Sequence, residues 1–223
     1  MALNVMGFSI SRILNILITL SVVAVFIAVC ADFYAYDKKV AVRKSRRSIV
    51  ATGSMTGFYV VYYMVLRFQL GGARVWQPGA NIIAGAGMMT SRRAAAVMGL
   101  AGAMMIIAGA IINILGRTRL KGNWANHIKI YEDHGLVDSG VYKLVRHPLY
   151  ASTILMFFGG SLAYRNWLSA ILTALVFIPF MYYRARQEEA LLIEEVPGYR
   201  EYMKKTGMFF PKLWKEGDAD GGV

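Results

Sequence analysis

Charged residues and cysteine are both scarce in this chain, and each shortage limits the classes of protein to which it can belong. Only 17% of the residues are charged whereas 57% are hydrophobic, a balance typical of membrane proteins. The single cysteine, Cys30, excludes a disulfide within the chain. Because Cys30 lies inside the first apolar run, we interpret it as a small hydrophobic residue.

Two familiar cofactor motifs are also missing. No Gly-x-Gly-x-x-Gly follows a predicted strand and no Walker sequence occurs, so the sequence offers no soluble nucleotide fold. The three histidines, His127, His134 and His147, fall in one region, but their spacing matches no zinc pattern and no cysteine completes one. We therefore predict no metal site.

Acidic residues are half as common as basic ones, with 13 Asp and Glu against 25 Lys and Arg. The resulting net charge of +12 is a level that nucleic-acid-binding proteins also reach. Here, however, the basic residues lie at the ends of apolar runs, where they determine membrane topology. We predict that the chain binds no nucleic acid.

Five apolar segments predict an all-α, polytopic membrane protein, because each is near the ~17–25 residues that cross a bilayer. The segments are residues 13–35, 50–70, 94–115, 149–164 and 167–183. Only Arg165 and Asn166 separate the last two, so they should form a tight helical hairpin. Small residues at Ala95, Gly99 and Ala103 should let the third helix pack closely on a neighbour.

The distribution of Lys and Arg predicts the orientation of these helices. Nineteen of the 25 lie in loops 36–49 and 116–148 and in the tail after residue 183. Five lie on the opposite side, and Arg67 lies inside the second segment. Because cytoplasmic loops are enriched in Lys and Arg, the N-terminus should be outside and the C-terminus cytoplasmic.

Two charged clusters then share the cytoplasmic face. Arg146 and His147 precede Pro148, which suits the first turn of a helix, and the second cluster runs from Arg184 to Glu189. A helical hairpin separates the clusters, so we predict that they form two walls of one site, since ionisable groups at membrane boundaries usually bind a ligand.

The residue types indicate a ligand that carries both a cation and a carboxylate. Tyrosine faces and backbone carbonyls near Tyr142 suit a sulfonium or ammonium centre, through attractions of roughly 0.5–2 kcal/mol. Arg146 or His147 would bind a carboxylate, and Glu188 or Glu189 an amino group or ribose hydroxyls. Singly, these residues have ordinary interpretations as topology determinants, interfacial aromatics or solvated helix residues; their order and spacing favour a site.

Several short motifs in a fixed order resemble the isoprenylcysteine carboxyl methyltransferase family and its phospholipid methyltransferase relatives. The resemblance covers about residues 116–214. The motifs are Asn123 to His127, Leu136-Val137 to Tyr142, Arg146-His147-Pro148-Leu149-Tyr150, Arg184 with Glu188-Glu189, and Tyr199 with Tyr202.

The resemblance implies an integral-membrane methyltransferase that uses S-adenosylmethionine on a lipophilic small-molecule acceptor. The acceptor would be a prenylcysteine-like carboxylate or a phospholipid amine, at the cytoplasmic face. Candidate catalytic residues are Arg184, Glu188 and Glu189. Candidate cofactor-binding residues are His127, His134, Gly135, Leu136, Val137, Tyr142, Arg146, His147, Pro148, Leu149, Tyr150 and Glu188.

The predicted organisation has three parts: a three-helix membrane region over residues 1–115, a cofactor-binding and catalytic region over 116–214, and a disordered tail over 215–223. Two other functions stay open, an NADPH-dependent membrane reductase of the sterol-reductase type and a non-catalytic membrane scaffold. Binding of methyl donor, nicotinamide or neither separates the three. The acceptor's identity and the oligomeric state are also open from the sequence.

Overall fold

The computed structural model describes residues 4–5, 8–36, 42–46, 49–67, 92–120, 128–131 and 135–212. Helices dominate this part of the chain, as predicted. The helices are α1 (Ile10–Tyr36), α2 (Ile49–Arg67), α3 (Arg92–Leu120), α4 (Pro148–Ala163), α5 (Trp167–Leu172), α6 (Ile178–Glu195) and α7 (Tyr199–Lys205). The predicted tail over residues 215–223 lies outside the described residues.

Among the described residues, four short strands accompany the helices and were not predicted from the sequence. Strand β1 (Asn4–Val5) pairs antiparallel with β2 (Phe8–Ser9). Strand β3 (Val42–Arg46) pairs antiparallel with β4 (Ile128–Tyr131). The β3–β4 pair joins the basic segment after α1 to the segment after α3.

Within the described residues, three helical stretches are long and apolar enough to cross a membrane: Ile13–Asp32, Arg93–Leu120 and Trp167–Glu195. Two further apolar helices, Gly57–Leu66 and Pro148–Ala163, are shorter. These two correspond to the second and fourth predicted segments. A membrane protein with several apolar helices is therefore confirmed, while five crossings and the orientation of the termini stay predictions.

The last apolar helix is longer than the sequence indicated. It continues from α5 through a π-helical turn, Thr173–Phe177, into α6 and ends at Glu195 rather than at residue 183. The π turn directly precedes Pro179, whose ring has no N–H for the preceding turn. Charged residues alone do not stop a helix, so the chain stays helical until Pro197 and Gly198. The second charged cluster is therefore carried on the helix.

Arg165 and Asn166 form the turn between α4 and α5. Arg165 has a φ of 52°, in the left-handed region. The Asn166 side chain accepts a 3.0 Å hydrogen bond from the Ser169 N–H and so caps α5. Its amide also donates to the Val65 carbonyl at 3.1 Å, which ties the turn to the end of α2.

Helix α3 lies between α1 and α4 and meets each with different small residues. Gly99 and Ala103 of the predicted stripe face α1, where they contact or cluster with Leu14. The closer approach is to α4 and uses a second set. A Cβ on Gly102 would lie 2.5 Å from the Gly159 carbonyl oxygen. Glycine therefore permits the α3–α4 contact.

Two of the hydrophobic clusters among the described residues connect the helices in this part of the fold. The first joins α2, α4 and the π-helical turn through Tyr62, Phe157 and Phe177. The second joins the end of α6 to α7 through Leu191 and Tyr199. Together they bring the start of α4, the second half of α6, and α7 to one place.

Candidate active site

A cavity of about 200 Å³ opens where α3, α4, α6 and α7 converge. Most of the residues predicted as a site line it. They are residues 135–137, Tyr142, residues 146–150, Arg184 and Glu188. His127 and His134 lie outside the described residues. Glu189 does not line the cavity and is 1% exposed.

The segment before α4 is held by the chain that follows α7. The backbone N–H of Arg146 donates to the Gly207 carbonyl at 2.8 Å, and the backbone N–H of His147 donates to the Met208 carbonyl at 3.1 Å. The Tyr202 hydroxyl donates to the Tyr142 carbonyl at 2.5 Å. These bonds join two parts of the chain about sixty residues apart and fix the loop that forms one wall.

Helix α4 begins at Pro148, with His147 as the residue before its first turn. Proline is favoured there because its missing N–H would have no helical partner. The His147 ring stacks on the Tyr150 ring, with centroids 5.4 Å apart and planes 6° from parallel. The cavity therefore has a flat aromatic wall at the start of this helix.

Glu189 lies behind that wall. Its Oε1 atom accepts a 2.7 Å hydrogen bond from Arg146 Nε and lies 3.2 Å from His147 Nε2. Arg146 Nη1 also donates to the carbonyls of Met203 and Thr206. Glu189 thus connects α6 to the first charged cluster without facing the cavity itself.

Glu188 is the neighbouring carboxylate and faces the cavity, with its side chain 34% exposed. The Tyr150 hydroxyl donates to Glu188 Oε2 at 2.9 Å and accepts from Arg184 Nε at 3.0 Å. Arg184 is buried, at 7% exposure. The Tyr150 hydroxyl therefore holds the Arg184 guanidinium and the Glu188 carboxylate at the same point of the cavity wall.

Three tyrosines of the cavity wall, Tyr142, Tyr199 and Tyr202, have a raised pKa and are neutral. Burial raises the pKa of Tyr142, and the nearby Glu188 carboxylate raises it further. Burial also raises the pKa of Tyr199 and of Tyr202. Their phenol rings therefore give the cavity polar but uncharged walls.

Several lining residues were not assigned from the sequence. Asn113 and Arg117 of α3, Tyr59 of α2 and Thr153 of α4 contribute to the cavity. The sequence did offer one signal for this part of the lining, because Asn113 is a polar residue inside an apolar segment. Tyr199 and Tyr202 were noted as a motif but were not placed at the site; both line it.

Among the described residues, no three His, Cys, Asp and Glu side chains come together in a way that could hold a metal ion. Arg146, which lines the cavity, pairs with Glu189 behind the cavity wall. The donor set therefore suits an organic ligand with both charged and apolar parts.

Residues 102–194 match the isoprenylcysteine carboxyl methyltransferase family. This match confirms the family recognised from the motifs. It begins within α3 and ends one residue before the end of α6, so it contains both charged clusters and the hairpin between them. Helices α1 and α2 lie outside it.

Curated relatives include the protein-S-isoprenylcysteine O-methyltransferase A of Arabidopsis thaliana, 38% identical over 41% of this chain and 47% of that protein. The protein-S-isoprenylcysteine O-methyltransferase of Saccharomyces cerevisiae is 35% identical over 50% of this chain and 51% of that protein. The cobalt-zinc-cadmium resistance protein CzcN of Cupriavidus metallidurans is 36% identical over 40% of this chain and 41% of that protein. The chain spans about half or less of these relatives' lengths.

Proposed function

We propose that this protein transfers a methyl group from S-adenosylmethionine to a lipid-like acceptor. Its residues 102–194 belong to the isoprenylcysteine carboxyl methyltransferase family. The observation that carries the proposal is the junction of Arg184, Tyr150 and Glu188 on the cavity wall. It brings together Arg184, which suits an anionic acceptor, and Glu188, which suits a cationic donor.

The cavity lining suits S-adenosylmethionine chemically. Leu136 and Val137 offer apolar surface for an adenine ring, and Glu188 offers a carboxylate for ribose hydroxyls or an amino group. The rings of Tyr142, His147 and Tyr150 suit a sulfonium through cation–π attraction. The bound cofactor would supply an electrophilic methyl group.

Arg184 is the residue that would bind the acceptor. A guanidinium binds a carboxylate through two parallel hydrogen bonds, which fixes the attacking oxygen. With a carboxylate acceptor no general base is needed. With a lipid amine a proton must leave, and Glu188, within the cavity, is then the base we favour.

The remaining residues would orient these groups and exclude water, which is the main task in an in-line displacement. Glu189 was also predicted as a catalytic candidate. Its burial and its contacts with Arg146 and His147 support a positioning role instead. The Glu189 carboxylate would keep the side chains of Arg146 and His147 in place beside the cofactor.

The site would face the cytoplasm, with the acceptor entering from the lipid. The excess of Lys and Arg in the loops beside the site supports this orientation. Tyr59 of α2 supports entry from the lipid, because it lines the cavity and is also 44% exposed on an apolar helix. The protein would thus act on molecules already in the membrane.

Calorimetric binding of S-adenosylmethionine and of NADPH to detergent-purified protein tests the proposal. We expect micromolar binding of the former, lost in His147→Ala and kept in Tyr182→Ala, a control on the exposed face of α6. Binding of NADPH alone would indicate a reductase. Binding of neither ligand would contradict both the methyltransferase and the reductase assignment.

A further inference from the structure

A partly buried ion pair connects α1 to the cavity, although α1 lies outside the family match. Arg117 Nη1 donates to Asp32 Oδ2 at 2.8 Å, and the two side chains are 12% and 14% exposed. Arg117 also lines the cavity. A residue of α1 therefore directly contacts a cation of the candidate site.

Asn113, one turn before Arg117 on α3, fixes the guanidinium from a second side. Its Oδ1 atom accepts a 2.9 Å hydrogen bond from Arg117 Nε. Its amide nitrogen donates to Ser152 Oγ on α4 at 2.9 Å. The guanidinium is thus held by Asp32 of α1 and Asn113 of α3, and α4 fixes Asn113 in turn.

Such an arrangement is costly for stability alone. Removing two charges from water carries a desolvation penalty that their mutual attraction often does not recover. An apolar pair would join α1 to α3 at lower cost. The charged pair therefore calls for a role that needs a fixed cation at the cavity.

The position of Arg117 indicates which ligand it would meet. The same cavity is lined by Tyr59 of α2 and by Thr153, about one turn beyond Tyr150 on the apolar helix α4. Tyr59, Arg117 and Thr153 belong to apolar helices, whereas Tyr199 and Tyr202 of the same lining come from α7.

We propose that Arg117, oriented by Asp32, binds an anionic oxygen group of the methyl acceptor, a carboxylate or a phosphate, in addition to the contact made by Arg184. The proposal rests on the proposed function. A guanidinium whose plane is fixed by Asp32 and Asn113 has the planar, charged geometry that matches such a group. Asp32 is then a positioning residue, and α1 takes part in acceptor selection.

Methyl transfer from labelled S-adenosylmethionine to two probes tests this role: N-acetyl-S-farnesylcysteine and vesicles of phosphatidylethanolamine. The variants are Asp32→Asn, Arg117→Gln and Arg117→Lys, with Phe26→Ala on the exposed face of α1 as the matched control. The double variant Asp32→Asn/Arg117→Gln removes both buried charges, so it keeps the test valid if a single variant folds poorly.

For the probe that the parent protein methylates, we expect Asp32→Asn and Arg117→Gln to raise the acceptor KM about tenfold, as for loss of a charged hydrogen bond. The kcat and the S-adenosylmethionine Kd should be nearly unchanged. Arg117→Lys should restore part of the affinity, and Phe26→Ala should behave like the parent. Which probe responds tells carboxylate from phosphate recognition.

An unchanged acceptor KM in the double variant, with the parent active, would overturn the role of Arg117 and leave the proposed function intact. A rise in the S-adenosylmethionine Kd alone would also overturn it, because Arg117 would then contact the donor. Transfer by the parent to neither probe, with no S-adenosylmethionine binding, would overturn both proposals.

Discussion

Arg146 Nε lies 2.7 Å from Glu189 Oε1, a contact between residues 43 positions apart in the chain. The two side chains are 10% and 2% exposed. This pair joins the segment before α4 to the middle of α6, and so joins the two charged clusters that a helical hairpin separates in the sequence. The two clusters meet at one cavity because α6 continues beyond its apolar part.

Glu189→Gln should lower the free energy of unfolding by about 3 kcal/mol, because Arg146 would remain buried without a compensating charge. Thermal unfolding in detergent measures the loss. Glu188→Gln is the matched control and should cost much less, since its side chain is 34% exposed. Equal losses in the two variants would contradict the separate roles of these neighbours.

Tyr150→Phe should lower the methyl-transfer rate about tenfold, because Arg184 and Glu188 would lose the hydroxyl that holds both. Steady-state kinetics at saturating donor measures the change. Tyr183→Phe removes a hydroxyl from an exposed side chain of α6 and should leave the rate unchanged. A Tyr150→Phe enzyme with the parent's rate would show that the hydroxyl does not orient these groups.

Arg184→Ala should abolish transfer with only a modest loss of S-adenosylmethionine binding, because we assign this cation to the acceptor. His147→Ala should instead lower donor affinity. Calorimetry and transfer assays on the same preparations separate the two effects. Equal losses of binding in both variants would argue against this division of roles.

Gly102→Ala should destabilise the protein by about 1–3 kcal/mol, because the new Cβ would lie 2.5 Å from the Gly159 carbonyl oxygen and force α3 from α4. Gly57→Ala on α2 is the matched control, since no atom lies within 4 Å of its added Cβ. That variant should be unchanged or slightly more stable, because alanine favours helix. Unfolding curves compare the two.

Stability should decrease as the pH rises above ~10, the pKa of a tyrosine in an unfolded chain. Burial raises the pKa of Tyr202, so the folded state keeps this proton while the unfolded state loses it. Tyr202→Phe should show a shallower alkaline loss, yet be about 1 kcal/mol less stable at neutral pH without the bond to the Tyr142 carbonyl. An identical pH profile in both proteins would contradict this assignment.

Local chemistry was sufficient to predict several features. Pro148 predicted where α4 begins, and Arg165 with Asn166 predicted the turn of the hairpin. Hydropathy predicted the apolar helices because entry into a bilayer depends on the composition of each segment. Motif order predicted the family and most residues of the cavity wall, since each motif is read from a short stretch of chain.

Other features depended on the register of helices in space. Glu188 and Glu189 are adjacent in the sequence, but successive residues of a helix point about 100° apart. One therefore faces the cavity while the other contacts Arg146. Similarly, the Arg117–Asp32 contact spans 85 residues and depends on how α1 packs against α3.

The membrane class, the family resemblance and the residue types of the candidate site follow from the order of amino acids, because hydropathy and short motifs are local properties. Helix packing was needed to show which carboxylate faces the cavity, which residues hold Arg146, and that Asp32 of α1 contacts Arg117 at the cavity. These depend on close approach of the helices at residues such as Gly102, and side-chain pairings across helices follow from that packing.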